Sequence, residues 1–132
     1  MLKRILVVDD HEVVRQGVCS ILRTRPEWEV IGEAENGNDA VEKAKSLEPD
    51  LLVLDMSMPG KNGLEVIQEL NHLGIRSKIV VFTMHRSVEL AAKIEASGAS
   101  GYVLKTSATR DLVRAIQKIF EGGTFFPEPA PG

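Results

Sequence analysis

Five polar residues lie just past four short apolar runs, and together they could manage phosphate chemistry. Asp9 and Asp10 follow 5–8 (Ile-Leu-Val-Val), and Asp55 follows 51–54 (Leu-Leu-Val-Leu). Thr83 follows 79–82 (Ile-Val-Val-Phe), and Lys105 follows 102–104 (Tyr-Val-Leu). If these runs are neighbouring strands, their carboxyl ends gather three carboxylates, a hydroxyl and an ammonium in one place. Converging carboxylates repel one another and raise at least one pKa. A hard divalent cation removes that conflict, and Mg2+ favours a few carboxylate oxygens completed by water and phosphate oxygens. Mg2+ and Lys105 together neutralise the acids Asp9, Asp10 and Asp55, and a phosphate ester on Asp55 leaves the group with a single negative charge. A carboxylate can attack phosphorus to form an acyl phosphate. Asp55, ending a central run and facing both the acidic pair and the lysine, is the expected nucleophile. The remaining work is positioning and charge neutralisation, with positive charge from Lys105 and a hydrogen bond from Thr83.

Each of these residues has an ordinary explanation when taken singly. Acids at a helix start favour its dipole, so Asp9 and Asp10 could be caps. A lone Lys105 would be solvated, and Thr83 would be a loop hydroxyl. What those explanations leave unaccounted for is the recurrence at successive strand ends.

The elements that must position the group are legible from periodicity. The four runs are β-branched, short and apolar on both faces, as strands of a parallel sheet covered on both sides are. Residues 28–34 differ, because Glu29 and Glu33 share a face with Ile31 between them; such a strand belongs at a sheet edge. Amphipathic helices fill the intervals. Val14, Val18, Ile21 and Leu22 mark the first, Ala40, Ala44 and Leu47 the second, and Leu64, Ile67 and Leu70 the third. The fourth spans about 87–97, and Leu112, Ile116, Ile119 and Phe120 mark the fifth. Asn36-Gly37 turns the chain with Asn38 as the expected N-cap, Asn62 and Glu65 form a capping box, and Gly98 stops the fourth helix. Five β-α repeats imply an α/β doubly wound five-stranded parallel sheet of order 2-1-3-4-5, a flavodoxin-like (βα)5 architecture. Its ligand crevice opens at the carboxyl ends of strands 1 and 3.

Composition narrows the class. At 132 residues, 43% hydrophobic and 27% charged, the chain supports one ordered core, expected over residues 1–123. A net charge of −3 gives no footprint for direct contact with DNA or an anionic membrane surface. Lone Cys19 forms no internal disulfide and reads as a packing residue, which fits a reducing, cytoplasmic setting. No apolar run approaches a membrane span, so no membrane partner is expected.

Taken together, Leu6-Val7-Val8-Asp9-Asp10, 54–60 (Leu-Asp-Met-Ser-Met-Pro-Gly), Phe82-Thr83 and 98–105 (Gly-Ala-Ser-Gly-Tyr-Val-Leu-Lys) resemble the response-regulator receiver family. The loop after Asp55 and the style of the fifth strand are most similar to receivers of the nitrate-regulator class, which carry a helix-turn-helix output domain. The resemblance implies that Asp55 accepts a phosphoryl group from a sensor histidine kinase. It implies Mg2+ ligation directly by Asp10, through a water by Asp9, and by Asp55 and the backbone carbonyl of Ser57. Thr83 and Lys105 would hold phosphoryl oxygens, Thr83 and Tyr102 would form the switch, and Ser57 and His85 would tune phosphoryl lifetime. Such a protein is not a conventional enzyme, but it catalyses its own phosphorylation and dephosphorylation. Lys105 and Asp10 are expected outside the core. Thr106 stands where many receivers carry proline, which leaves the geometry of the preceding bond open.

His11, His72 and His85 are not at metal-ligand spacing. His72 reads as solvated, whereas His11 and His85 lie near the crevice and could tune it without being ligands. Residues 124–132 read as a Pro-rich tail or the start of a linker to an output domain outside this chain, with Phe125 and Phe126 packing against the domain. Any DNA contact would be made through that output domain. The alternative is a stand-alone receiver acting by protein–protein contact, and for either the output could be a homodimer. Three competing classes fit less well. A flavin-binding module needs phosphate donors where Asp9-Asp10-His11-Glu12 stand, and a haloacid-dehalogenase-type phosphatase needs an acid where Ser57 stands. A P-loop hydrolase needs a Gly-x4-Gly-Lys run that is absent.

Overall fold

The computed structural model describes residues 2–126. Five strands, β1 (Lys3–Val8), β2 (Trp28–Ala34), β3 (Leu51–Asp55), β4 (Lys78–Thr83) and β5 (Gly101–Leu104), form one parallel sheet in the order β2-β1-β3-β4-β5. Helices α1 (Glu12–Leu22), α2 (Gly37–Leu47), α3 (Gly63–His72), α4 (Val88–Ala96) and α5 (Ala108–Phe120) alternate with the strands. A short 3-10 turn, Lys105–Ser107, joins β5 to α5. This is the expected α/β doubly wound, flavodoxin-like (βα)5 fold.

Strand alternation divides the core into two layers. Ile5, Val7, Leu51, Val53, Val80, Phe82 and Val103 meet Val18 and Leu22 of α1 and Leu112, Ile116 and Ile119 of α5. On the other face Leu6, Val8, Leu52, Leu54, Val81 and Tyr102 meet residues of α2, α3 and α4. Burial on both faces is why the strand runs carry no polar alternation. The half-polar β2 does lie at an edge, with Glu29 and Glu33 exposed and a register shift where Ile5 pairs with Val30 and Leu6 with Gly32. Cys19 is a buried packing residue, its thiol pushed up from the ordinary value chiefly by burial.

Helix punctuation follows the sequence with one correction. The Asn62–Glu65 capping box forms, and Gly98, at φ +95°, stops α4 in a conformation that glycine adopts without strain. The cap of α2, however, is Asn36 rather than Asn38: Asn36 Oδ1 accepts from the Asp39 N–H at 2.8 Å. Gly37 therefore sits inside the helix, where a Cβ would lie 2.4 Å from Lys61 Cβ. Only glycine lets this first turn lie so close to the loop between β3 and α3.

After α5 the chain returns to the open edge of the sheet. Phe125 N–H donates to the Ser100 carbonyl at 2.9 Å, and Tyr102 N–H donates to the Phe125 carbonyl at 2.8 Å. Phe125 packs on the α1–α5 layer and Phe126 on the opposite one. The proline-rich remainder of the tail, from residue 127, lies outside the described residues.

Candidate functional site

β1 and β3 are hydrogen-bonded neighbours in matching register, with Val8 opposite Leu54, so the residues that follow them emerge side by side. β4 continues the sheet with Phe82 opposite Asp55, and β5 places Leu104 opposite Thr83. Asp9, Asp55 and Thr83 are the buried polar residues among those described, each no more than 2% exposed. Sheet register alone thus brings Asp9, Asp10, Asp55, Thr83 and Lys105 to one end of the sheet.

Lys105 closes the group. Its Nζ lies 2.9 Å from Asp9 Oδ2 and 3.1 Å from Asp55 Oδ1, with the Phe82 ring 5.8 Å away. Lys105 lies past the end of β5 and outside the core, as expected, although its side chain is only 11% exposed. The 3-10 turn bends the chain back over the strand ends, and two carboxylates draw the ammonium inward. Asp10 does sit further out, with its side chain 24% exposed. The Lys105–Thr106 bond is trans, as is every other described peptide bond.

The electrostatics are strained by design of the topology. Burial, then repulsion from Asp9, push the Asp55 carboxyl up from 3.8 to about 6, although Lys105 and the Ser57 N–H pull the other way. Burial works against the charge on Lys105, but the hydrogen bond to Asp9 and the charges of Asp55 and Asp9 outweigh it and raise the pKa. The ammonium therefore stays charged at neutral pH.

Carboxylate oxygens remain unsatisfied. Asp55 Oδ1 accepts from Ser57 N–H at 3.2 Å, and Asp9 Oδ1 accepts from His11 N–H at 2.9 Å. Asp55 Oδ2 is buried with no hydrogen-bond partner among the described residues. Among the described residues, Asp9 Oδ2 meets Lys105 at 2.9 Å and Asp10 Oδ1 meets His11 Nδ1 at 3.0 Å, ion-pair contacts without a further hydrogen bond. Buried oxygens without partners are costly, and a bound ion or water is one way to satisfy them. Ligand atoms of Asp9, Asp10, His11 and Asp55 all lie within 4.8 Å of one another, close enough to hold a metal ion together. His11 joins this cluster although its spacing gave no sign of it, because the β1–α1 loop folds its exposed ring back toward the acids.

The outlying residues fall into place around this centre. Gly63 N–H donates to the Met56 carbonyl at 2.9 Å, and a Cβ on Gly63 would lie 3.0 Å from the Asp55 carbonyl oxygen, so glycine keeps the loop after Asp55 tight. Ser57 is exposed in that loop and borders an open groove with Asp10, Met58, Leu64 and Leu90. Thr83 Oγ1 accepts from the His85 N–H at 3.2 Å. Tyr102 is 1% exposed; its hydroxyl donates to the His85 carbonyl and accepts from the Ser87 N–H at 3.3 Å. A tyrosine that snorkels at the surface does not describe this fold. His72 is exposed at the end of α3, away from the site.

A five-stranded doubly wound sheet with an acid cluster and a lysine at its carboxyl edge defines a class of receiver-like proteins. Residues 5–117 match the response regulator receiver domain, and the chain belongs to that family. It is 40% identical over 118 residues to the nitrate/nitrite response regulator protein NarL of Escherichia coli (strain K12), covering 89% of this chain and 55% of that one. It is 37% identical over 124 residues to the transcriptional regulatory protein LnrK of Bacillus subtilis (strain 168), covering 94% and 56%. The chain thus spans little more than half the length of these curated relatives. A two-component response regulator of the LuxR family from Aurantimonas sp. SI85-9A1 superposes with a TM-score of 0.90 at 35% identity, over 95% of this chain and 89% of that one. The nitrate-regulator resemblance of the motifs agrees with these relatives. No described helix is long and apolar enough to cross a membrane.

Proposed function

We propose that Asp55 is the phospho-acceptor of a receiver switch fed by a sensor histidine kinase. The observation that carries this reading is the Lys105 ammonium bridging Asp9 and Asp55 while Asp55 Oδ2 stays buried with no hydrogen-bond partner among the described residues. In the transfer, an Asp55 carboxylate oxygen forms a bond to phosphorus as the bond from phosphorus to the donor histidine nitrogen breaks, and that nitrogen keeps the electron pair. Asp55 must be ionised, which holds above a pH of about 6. Lys105 stays protonated and faces the negative charge on the phosphoryl oxygens, and the Thr83 hydroxyl donates to one of them. Asp9, Asp10, Asp55 and the Ser57 carbonyl suit Mg2+ as an oxygen-donor set, and the orphaned carboxylate oxygens fit it. Bound there, Mg2+ would neutralise phosphoryl charge. The chain would work in the cytoplasm, as the receiver of a longer transcriptional regulator. On this reading residues 1–123 form the receiver and 124–132 lead toward a DNA-binding output domain.

Acetyl phosphate with Mg2+ should add one phosphoryl mass to the wild type and none to Asp55→Ala, read by intact-protein mass spectrometry. Equal labelling of both proteins would sink the assignment.

Ser57 and His85, two residues past Asp55 and Thr83, are exposed beside the site and would govern water access to the phosphoryl group. Substituting either with a larger or more polar side chain should change the dephosphorylation rate by about tenfold, equal to about 1.4 kcal/mol in the barrier. Stability should move by no more than about 0.5 kcal/mol, as for other exposed positions. Unchanged phosphoryl lifetimes in both single variants and the double variant would reject this role.

A further inference from the structure

We infer that Arg15, on the second turn of α1, is a positioning residue that sets Mg2+ affinity by holding the peptide between Asp9 and Asp10. The inference rests on the reading of the site given above and concerns a residue outside the acid cluster.

The side chain of Arg15 folds back along its own helix toward the end of β1. Its Nη1 donates to the Asp9 carbonyl oxygen at 2.8 Å, and its Nε donates to Glu33 Oε1 at 3.2 Å. The side chain is only 12% exposed, whereas Glu33 is 44% exposed on the edge strand β2. The carbonyl that Arg15 engages belongs to the residue at which β1 stops pairing. Asp9 N–H still donates to Ala34 at 3.0 Å, which completes the run of bonds toward β2. Beyond it the Asp9–Asp10 peptide has left the sheet, and a charge-assisted bond from a guanidinium fixes its plane in place of a strand neighbour.

That plane decides where Asp10 stands. The peptide is rigid, so orienting the Asp9 carbonyl also orients the Asp10 N–H and the direction of its Cα. Asp9 has other restraints: its carboxylate accepts from His11 N–H at 2.9 Å and pairs with Lys105 at 2.9 Å. Among the described residues, the side chain of Asp10 meets only the exposed His11 ring, 3.0 Å from Oδ1. Its placement in the cluster therefore depends on backbone, and Arg15 is the side chain that grips that backbone. Glu33 in turn orients the guanidinium, and Lys43 Nζ donates to the Glu33 carbonyl, so the restraint runs inward from the sheet edge. Groups that hold metal ligands from behind commonly control affinity even though they never touch the ion.

The test uses the whole chain as wild type, Arg15→Ala, Arg15→Lys and Glu33→Gln. Mg2+ alone is titrated while the amide signals of Asp10, His11 and Ser57 are followed by NMR, at a temperature well below each variant's melt. Arg15→Ala should weaken Mg2+ binding by about tenfold, in the range found for supports of metal ligands. Arg15→Lys keeps the charge and one donor but loses the fork, so it should fall between the two. Glu33→Gln should shift the constant in the same direction by about threefold or less, since it removes only the orienting charge. Acetyl phosphate labelling at saturating Mg2+ should stay close to the wild-type rate in all three, because Asp55 and Lys105 are untouched.

An Arg15→Ala protein that folds and binds Mg2+ as the wild type does overturns the inference. If that variant does not fold, unchanged constants in both Arg15→Lys and Glu33→Gln overturn it instead. A loss of labelling that saturating Mg2+ does not restore also counts against it, since that marks general damage. A wild type without a saturable Mg2+ response overturns the site's reading itself. Wild-type saturation with unaltered variants overturns only the part assigned to Arg15.

Discussion

Asp55→Asn should make the Mg2+-free protein more stable at neutral pH, by about 2–3 kcal/mol at the usual 1.4 kcal/mol per pKa unit. The cause is the displacement of the Asp55 pKa from 3.8 to about 6, dominated by burial and then by Asp9. The native state binds this proton more tightly than the unfolded chain does. Stability therefore falls as pH rises from the unfolded value through about 6, and the full cost is present above it. Asparagine carries no such cost, so its advantage should be complete at pH 7, small near pH 4, and gone once the pH falls below the unfolded value of 3.8, where Asp55 is protonated in both states. Because Asp55 is 2% exposed, solvent screening reduces the figure little. Lys105→Ala should act in the opposite direction, by about 3–5 kcal/mol, because it leaves Asp9 and Asp55 buried without their cation. Urea unfolding in the presence of a chelator, at both pH values, reads all three proteins. Saturating Mg2+ should narrow the gap between wild type and Asp55→Asn, because an ion that binds only the folded wild type stabilises it. An Asp55→Asn protein less stable than the wild type at pH 7 would contradict this account of the charges.

The same burial explains which parts of the site were legible in the sequence. Asp9, Asp10, Asp55, Thr83 and Lys105 announce themselves because each interrupts or ends an apolar run, and parallel strands fix where those ends lie. The sheet order was legible for a related reason: strands buried on two faces read as unbroken apolar runs, and Glu29 and Glu33 mark the edge. Contacts that depend on loop paths left no such mark. Asn38 reads as the cap of α2 in sequence, but Asn36 takes that place by accepting from the Asp39 N–H, a choice that residue type alone does not reveal. His11 reaches the acids through the turn after β1, which no spacing rule encodes. Arg15 reads as one more polar residue on an amphipathic helix, because its partner is a backbone carbonyl that has no residue identity. The extent of Lys105 burial follows from the 3-10 turn, which is too short to show a periodic pattern.

Tyr102→Ala should destabilise the protein by about 3–5 kcal/mol, in line with removal of other large aromatic side chains from cores. Tyr102 is among the largest fully buried side chains and fills the layer that faces α2, α3 and α4. Tyr102→Phe keeps the ring and should cost only about 1 kcal/mol, the net worth of an ordinary hydrogen bond. Its greater effect should be on communication. The hydroxyl holds the His85 carbonyl, while the His85 N–H donates to Thr83 Oγ1, so one residue of the β4–α4 loop ties Thr83 to Tyr102. On the proposed reading, a phosphoryl group on Asp55 draws the Thr83 hydroxyl toward its oxygens and releases the His85 N–H. Tyr102 then senses the change through the His85 carbonyl, and its own N–H carries it to Phe125 at the head of the tail. A shift of this kind requires the phosphoryl group to favour one arrangement by a differential free energy. Beryllofluoride with Mg2+ should therefore move the Thr83 side chain and speed or slow amide exchange at His85, Tyr102 and Phe125 together. In Tyr102→Phe the response at His85 should persist while that at Phe125 falls away. Identical Thr83 and Tyr102 rotamers and unchanged exchange with and without the mimic would rule out this route, even with Asp55 confirmed as the acceptor.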